Sequence, residues 1–108
     1  MGRRALGKAP DARSELGRAK DELVQAGGRF PEPRYWLTRY VWVETTATAA
    51  RYRRVRGPLS GPATAIVHAR EAGEVAAKLL AQLSEIGLDL VEVVFTEPWA
   101  DAGTLLVR

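Results

Sequence analysis

Apolar and polar positions follow two different periods along this chain, and the change of period marks out its elements. From Tyr35 to Val43 the side chains alternate with period two, which predicts a strand over 35–43. Tyr35, Leu37, Arg39, Val41 and Val43 then share one side, and Trp36, Thr38, Tyr40 and Trp42 the other. Elsewhere the spacing is helical. REAGEVAAKLLAQLSEIG, 70–87, places Ala72, Val75, Ala76, Leu79, Leu80, Leu83 and Ile86 on one stripe, with Glu71, Glu74, Lys78, Gln82 and Glu85 mostly opposite. Glu71 and Glu74 sit where a helix start favours negative charge, Glu74 and Lys78 form an i,i+4 pair, and Gly87 ends the helix. A thinner stripe, Leu16, Ala19, Leu23 and Ala26, predicts a helix over 11–26. It begins with Pro10 at the first helical position or Asp11 as cap, is weakened by Gly17, and is stopped by Gly27-Gly28.

The remaining segments are shorter. ATAIVHA, 63–69, and LDLVEVVFTEP, 88–98, read as strands. In the second, simple alternation turns Val91, Val93 and Phe95 to the core and sets Leu90 and Val94 beside Glu92 on the other side. TLLVR, 104–108, predicts a last strand antiparallel to 89–96. The stretch 45–57 admits two readings. Thr46 caps a short helix with Arg53, Arg54 and Arg56 near its end, or 50–56 is a strand paired to the first; the alternation of Tyr, Arg and Val favours the strand. GPLSGP, 57–62, is a loop by composition.

The expected fold class is α+β: one four- or five-stranded mixed or antiparallel sheet, packed by a long helix (70–86) and an N-terminal helix. The strand–helix–strand unit 63–95 allows a right-handed parallel crossover. Residues 1–9 read as a flexible basic arm and 10–108 as a single domain. One sheet face goes to the long helix. The other needs the N-terminal helix, a second subunit or a bound partner.

Composition narrows the function classes. The chain has 108 residues, a formal net charge of +3 and no cysteine, which removes disulfides and thiolate metal sites. No apolar run reaches the roughly 20 residues that span a bilayer. The start MGRRALGKAP lacks the apolar core of a secretory signal, and Leu6 breaks the myristoylation pattern. A cytoplasmic domain without a membrane partner is the expectation. The charge is unevenly placed: residues 51–56 hold four arginines and no acid, whereas 71–101 hold seven acids and one lysine. That asymmetry suits a polyanion, an acidic protein or head-to-tail self-association.

The raw material for catalysis is thin. His68 is the one histidine, and Glu71, Glu92 and Glu97 do not stand at metal-ligand spacing from it. Ser14, Ser60 and Ser84 lie in no nucleophile motif, and the glycines form no phosphate loop. No catalytic residue, metal or cofactor is expected, and the protein reads as a non-enzyme.

The aromatic face is the more informative feature. Half of the chain's eight aromatic residues lie in RYWLTRYVWVE, 34–44. Trp36, Tyr40 and Trp42 read three ways: as core beneath the N-terminal helix, as anchors of a protein interface, or as a base-stacking platform. Two binding readings follow. A protein-binding module (adaptor, immunity-type or assembly protein, in its simplest form a homodimer through the aromatic strand) uses Trp36, Tyr40, Trp42, Arg51, Arg53, Arg54, Arg56 and Trp99. A nucleic-acid-binding domain uses Arg51, Arg53, Arg54 and Arg56 with Arg3, Arg4 and Lys8.

AIVHAREAGEVAAKLLAQLSEIGLDLVEVVF also resembles the first strand–helix–strand of an ACT-type regulatory domain. The resemblance covers about a third of the chain, and the pattern's second long helix is missing after TLLVR. It implies a small ligand, such as an amino acid, held at a dimer interface near Gly73 or Gly87-Leu88-Asp89.

Overall fold

The computed structural model describes residues 12–99, with side chains described from 15 onward. Three helices and three strands follow in the order α1 (Ala12–Gln25), β1 (Arg34–Glu44), α2 (Thr46–Arg51), β2 (Ser60–Ala69), α3 (Ala72–Glu85) and β3 (Leu88–Pro98). The architecture is α+β, with an antiparallel three-stranded sheet in the order β2-β1-β3. Both outer strands run antiparallel to β1, so they are parallel to each other and β1 lies between the two ends of the β2-α3-β3 crossover. The described sheet therefore has three strands, where four or five were expected. The predicted TLLVR strand and the basic arm at 1–9 lie outside the described residues.

Two predicted elements change. The lean toward a strand at 50–56 is corrected: Thr46–Arg51 is helical, and turns follow it. The cap is Thr45, whose hydroxyl accepts a hydrogen bond from the Thr48 N–H at 3.1 Å. Arg53 then adopts a positive φ of 54° and Gly57 one of 93°, which turns the chain back toward the sheet. The other change is that the end of the GPLSGP loop is strand, since β2 begins at Ser60.

The core lies between α3 and one face of the sheet. Val75, Leu79 and Leu83 of α3 are buried there, as the helical spacing predicts, while Leu80 and Ile86 stay exposed. Phe30, Trp36, Val67, Ala69 and Val75 form one cluster, with Leu23 and Ala65 against it. Tyr40, Leu79 and Leu83 form a second, edged by Trp42, Ala63, Leu88 and Leu90. No helix among the described residues is long and apolar enough to cross a membrane.

Glu44, at the end of β1, is buried with its charge paired. Arg54 donates to both of its carboxylate oxygens, at 3.1 and 3.0 Å, and the Leu59 N–H donates to one of them at 2.9 Å. This fork, reinforced by Arg54 over the Tyr52 ring, holds the 52–59 connection against the sheet. At the same end, Thr45 N–H donates to the Gly87 carbonyl at 3.0 Å. Gly87 has a φ of +79°, and a Cβ there would stand 2.2 Å from the Thr48 hydroxyl oxygen, so any other residue would strain the backbone and push Thr48 aside.

Candidate functional site

The two sides of β1 have different fates. Trp36 is 1% exposed and Tyr40 9%, both beneath α3, and Trp42 packs at the edge of the same layer. The Trp36 indole N–H donates to the Ala69 carbonyl at 2.7 Å, so its polar tip is satisfied inside the domain. These three aromatic residues pack in this core chiefly beneath α3, with Leu23 of the N-terminal helix against the cluster that holds Trp36. For Trp36 and Tyr40 the expectation of a contact surface is corrected on that ground, since a partner would have to displace α3 to reach them, whereas Trp42 is half-buried.

The opposite side is open over most of its length. Cross-strand pairing places His68, Ile66, Thr64 and Pro62 of β2 beside Tyr35, Leu37, Arg39 and Val41. It places Glu97, Phe95, Glu92 and Asp89 of β3 beside Leu37, Arg39, Val41 and Val43. Helix α1 touches only one end of this face. Lys20 pairs with Glu97 at 3.3 Å, and Arg34 with Glu22 at 3.1 Å. Beyond Glu97 no described element lies over the sheet, leaving Leu37, Val41, Val43, Ile66 and Phe95 as an apolar strip. Arg39, whose guanidinium donates to the Thr64 hydroxyl at 3.1 Å, stands within it.

Strand β3 departs from simple alternation, and this shapes the face. Its register against β1 shifts between Arg39 and Tyr40 and again between Val41 and Trp42. Each shift inserts one residue, Val94 and then Val91, and each reverses the phase of the strand. Leu90 consequently stands opposite Trp42 and joins the core, while Phe95 stands opposite Arg39 on the open side. The expected inward placement of Val91 and Phe95 is thereby corrected. Val91, Val94 and Phe95 are 56%, 54% and 41% exposed. Beside the first shift, the buried Thr38 hydroxyl donates to the Phe95 carbonyl at 3.1 Å and accepts from the Thr96 hydroxyl at 3.0 Å. Side chains thus supply hydrogen bonds where the ladder is interrupted.

The two outer strands also differ. On β2, Pro62 offers no N–H, and the His68 carbonyl accepts from Lys78 Nζ at 2.7 Å. On β3, neighbouring valines and a phenylalanine are left in solvent.

The arginine run does not act as one patch. Arg54 is held by Glu44, which raises its pKa above the ordinary value through that hydrogen bond. Arg51 at the end of α2 and Arg53 and Arg56 beyond it are exposed and make no ion pair with described residues. Arg3, Arg4 and Lys8 lie outside the described residues.

A cavity of about 370 Å³ separates α1 from the end of the sheet, lined among others by Arg18, Arg34, Tyr35, His68 and Trp99. The His68 and Tyr35 rings lie 4.8 Å apart there. The cavity's cations already face acids, Arg18 with Glu15 at 3.6 Å and Arg34 with Glu22. Trp99 is half-buried; its backbone N–H extends the pairing to Tyr35, and its indole N–H has no partner among the described residues. Neither Gly73 nor Gly87, where the ACT-type resemblance implies a ligand, lines this cavity. Gly73 lies in the first turn of α3 and Gly87 is closed by Thr48. No group of three metal-ligating side chains comes together among the described residues.

No family model, curated protein or solved structure matches this chain.

Proposed function

We propose that the chain is a non-enzymatic protein-binding module whose contact surface is the open side of its sheet. The observation behind this reading is the apolar strip Leu37, Val41, Val43, Ile66 and Phe95, with no described element over it. A sheet is stable when both apolar faces are covered, and α3 covers only one. Phe95 is exposed and Leu37, Val41, Val43 and Ile66 are half-buried, and contiguous, partly exposed apolar surface of this kind serves as a contact surface on small domains. The surface moves from the aromatic side of β1 to its other side, and Trp36, Tyr40 and Trp42 serve the packing of β1 against α3. The arginine turn supports a nucleic-acid role less well, because Arg54 is withdrawn into an ion pair with buried Glu44.

The test measures association in two ways: the mass of the purified chain in solution, and retention of proteins from host extract by the immobilised chain. Val41→Lys and Ile66→Lys should each weaken association at least about tenfold, as expected when a charge enters an apolar contact. Ser84→Lys, on the exposed side of α3, should change nothing. Association undiminished in both face variants, with far-UV circular dichroism unchanged, would remove the open face from the reading.

A further inference from the structure

Resting on the binding role of the open face, we infer that its partner is a second copy of the same chain, packed face to face about a two-fold axis. The argument is one of charge placement. Arg39 on β1 and Glu92 on β3 stand on the same open face, two β1 positions and one strand apart, since Glu92 lies opposite Val41. Neither makes an ion pair with described residues. With a rise of about 3.4 Å per residue and strands about 4.8 Å apart, they are separated by roughly 8 Å.

One cation and one anion at a fixed offset make a self-complementary pattern. A two-fold axis lying between the two sheets, midway between Arg39 and Glu92, sets Arg39 over Glu92 of the second copy. The same operation sets Glu92 over Arg39 of that copy. Val41 and Phe95 occupy the other corners of this square of residues, opposite Glu92 and Arg39 respectively. They fall close to the axis and pack near their own counterparts, giving the contact an apolar centre with charged pairs to either side.

Strand addition at the edge of β3 away from β1 is the competing way to pair two copies, and the structure disfavours it. The two extra residues at Val91 and Val94 bend and twist β3 within the stretch that would have to form a straight ladder. A symmetric antiparallel β3 pair centred on Val93 would also set Asp89 against Glu97 of the other copy. One centred on Glu92 would oppose that residue to itself.

The experiment is a charge exchange read by solution mass, using sedimentation or light scattering over a concentration series. Wild type should have twice the chain mass at high concentration. Arg39→Glu and Glu92→Arg should each raise the dimer dissociation constant at least about tenfold, because each opposes like charges at both contacts. An equimolar mixture of the two variants should recover the dimer, since every facing pair is again of opposite sign. That recovery also shows that both variants are folded. A monomeric wild type, a dimer indifferent to both substitutions, or a mixture that stays monomeric would each overturn the self-pairing. If wild type is monomeric yet Ile66→Lys still abolishes retention of another protein, only the self-pairing fails. If Ile66→Lys alters neither mass nor retention, the binding face fails with it.

Discussion

The two faces of β1 are written with the same alternation and meet different neighbours. One side carries Trp36, Thr38, Tyr40 and Trp42 and is roofed by α3. The other carries Tyr35, Leu37, Arg39, Val41 and Val43, and α1 reaches only its Arg34 end. The covered side is richer in aromatic surface, so it looks the stickier of the two in sequence. That richness is the reason it is not available: large rings contribute most when fully buried, and the chain buries them in its own core. The less conspicuous side, with Leu37, Val41 and Val43, is left half-buried.

Substitutions on the two faces should therefore separate stability from association. Trp36→Ala should cost about 3–5 kcal/mol of unfolding free energy, as removal of a buried aromatic side chain does. Val41→Ala should cost well under about 1.5 kcal/mol in the monomer and show its effect in association. Urea denaturation of both variants at a concentration where the chain is monomeric checks the contrast. Equal losses would mean that the two faces are buried alike.

A smaller effect is expected where the α3-to-β3 turn meets α2. Gly87→Ala should cost about 1–3 kcal/mol, from the positive φ and the contact with Thr48 together. Adding Thr48→Ala removes the steric part and should return a fraction of that loss, measured as a coupling in a double-mutant cycle. Independent, additive losses would show that the two residues do not touch.

The gentlest probe is pH. The Arg54 hydrogen bonds hold the Glu44 carboxyl below the usual carboxylate range, with the Leu59 N–H adding to them. The Arg70 N–H does the same for Glu74, with Lys78 contributing. A depressed folded-state pKa means that the stabilisation is fully present above the unfolded value, about 4.3 for Glu, and is lost as pH falls through the folded value. The urea midpoint should stay flat above about pH 5 and decline below about pH 4. Glu44→Gln should lower the plateau and reduce that decline; an unchanged acid slope would remove Glu44 as a source of it.

Much of the fold was legible because it rests on local periodicity. Period two at 34–44 and helical spacing at 72–85 give β1 and α3 to within a residue or two, and β3 lies where the apolar run placed it. The reading of 50–56 as strand failed because alternation over so few residues is weak, and a capping threonine with Ala47, Ala49 and Ala50 behind it suffices for a short helix. The open face was half legible. Its β1 residues could be grouped from sequence, but Phe95 and Leu90 exchanged sides through two inserted residues that leave no mark in composition.

By itself, then, the sequence determined the elements that neighbouring residues can specify: where the chain extends, where it coils, and which side chains share a side of β1. Only the tertiary structure decided which of those sides α3 would cover, how β3 would slip against β1, and that Arg54 would turn inward to Glu44. Those choices depend on contacts between residues far apart in the chain, where the burial of tryptophan outweighs that of valine and a bulge costs little at an outer strand.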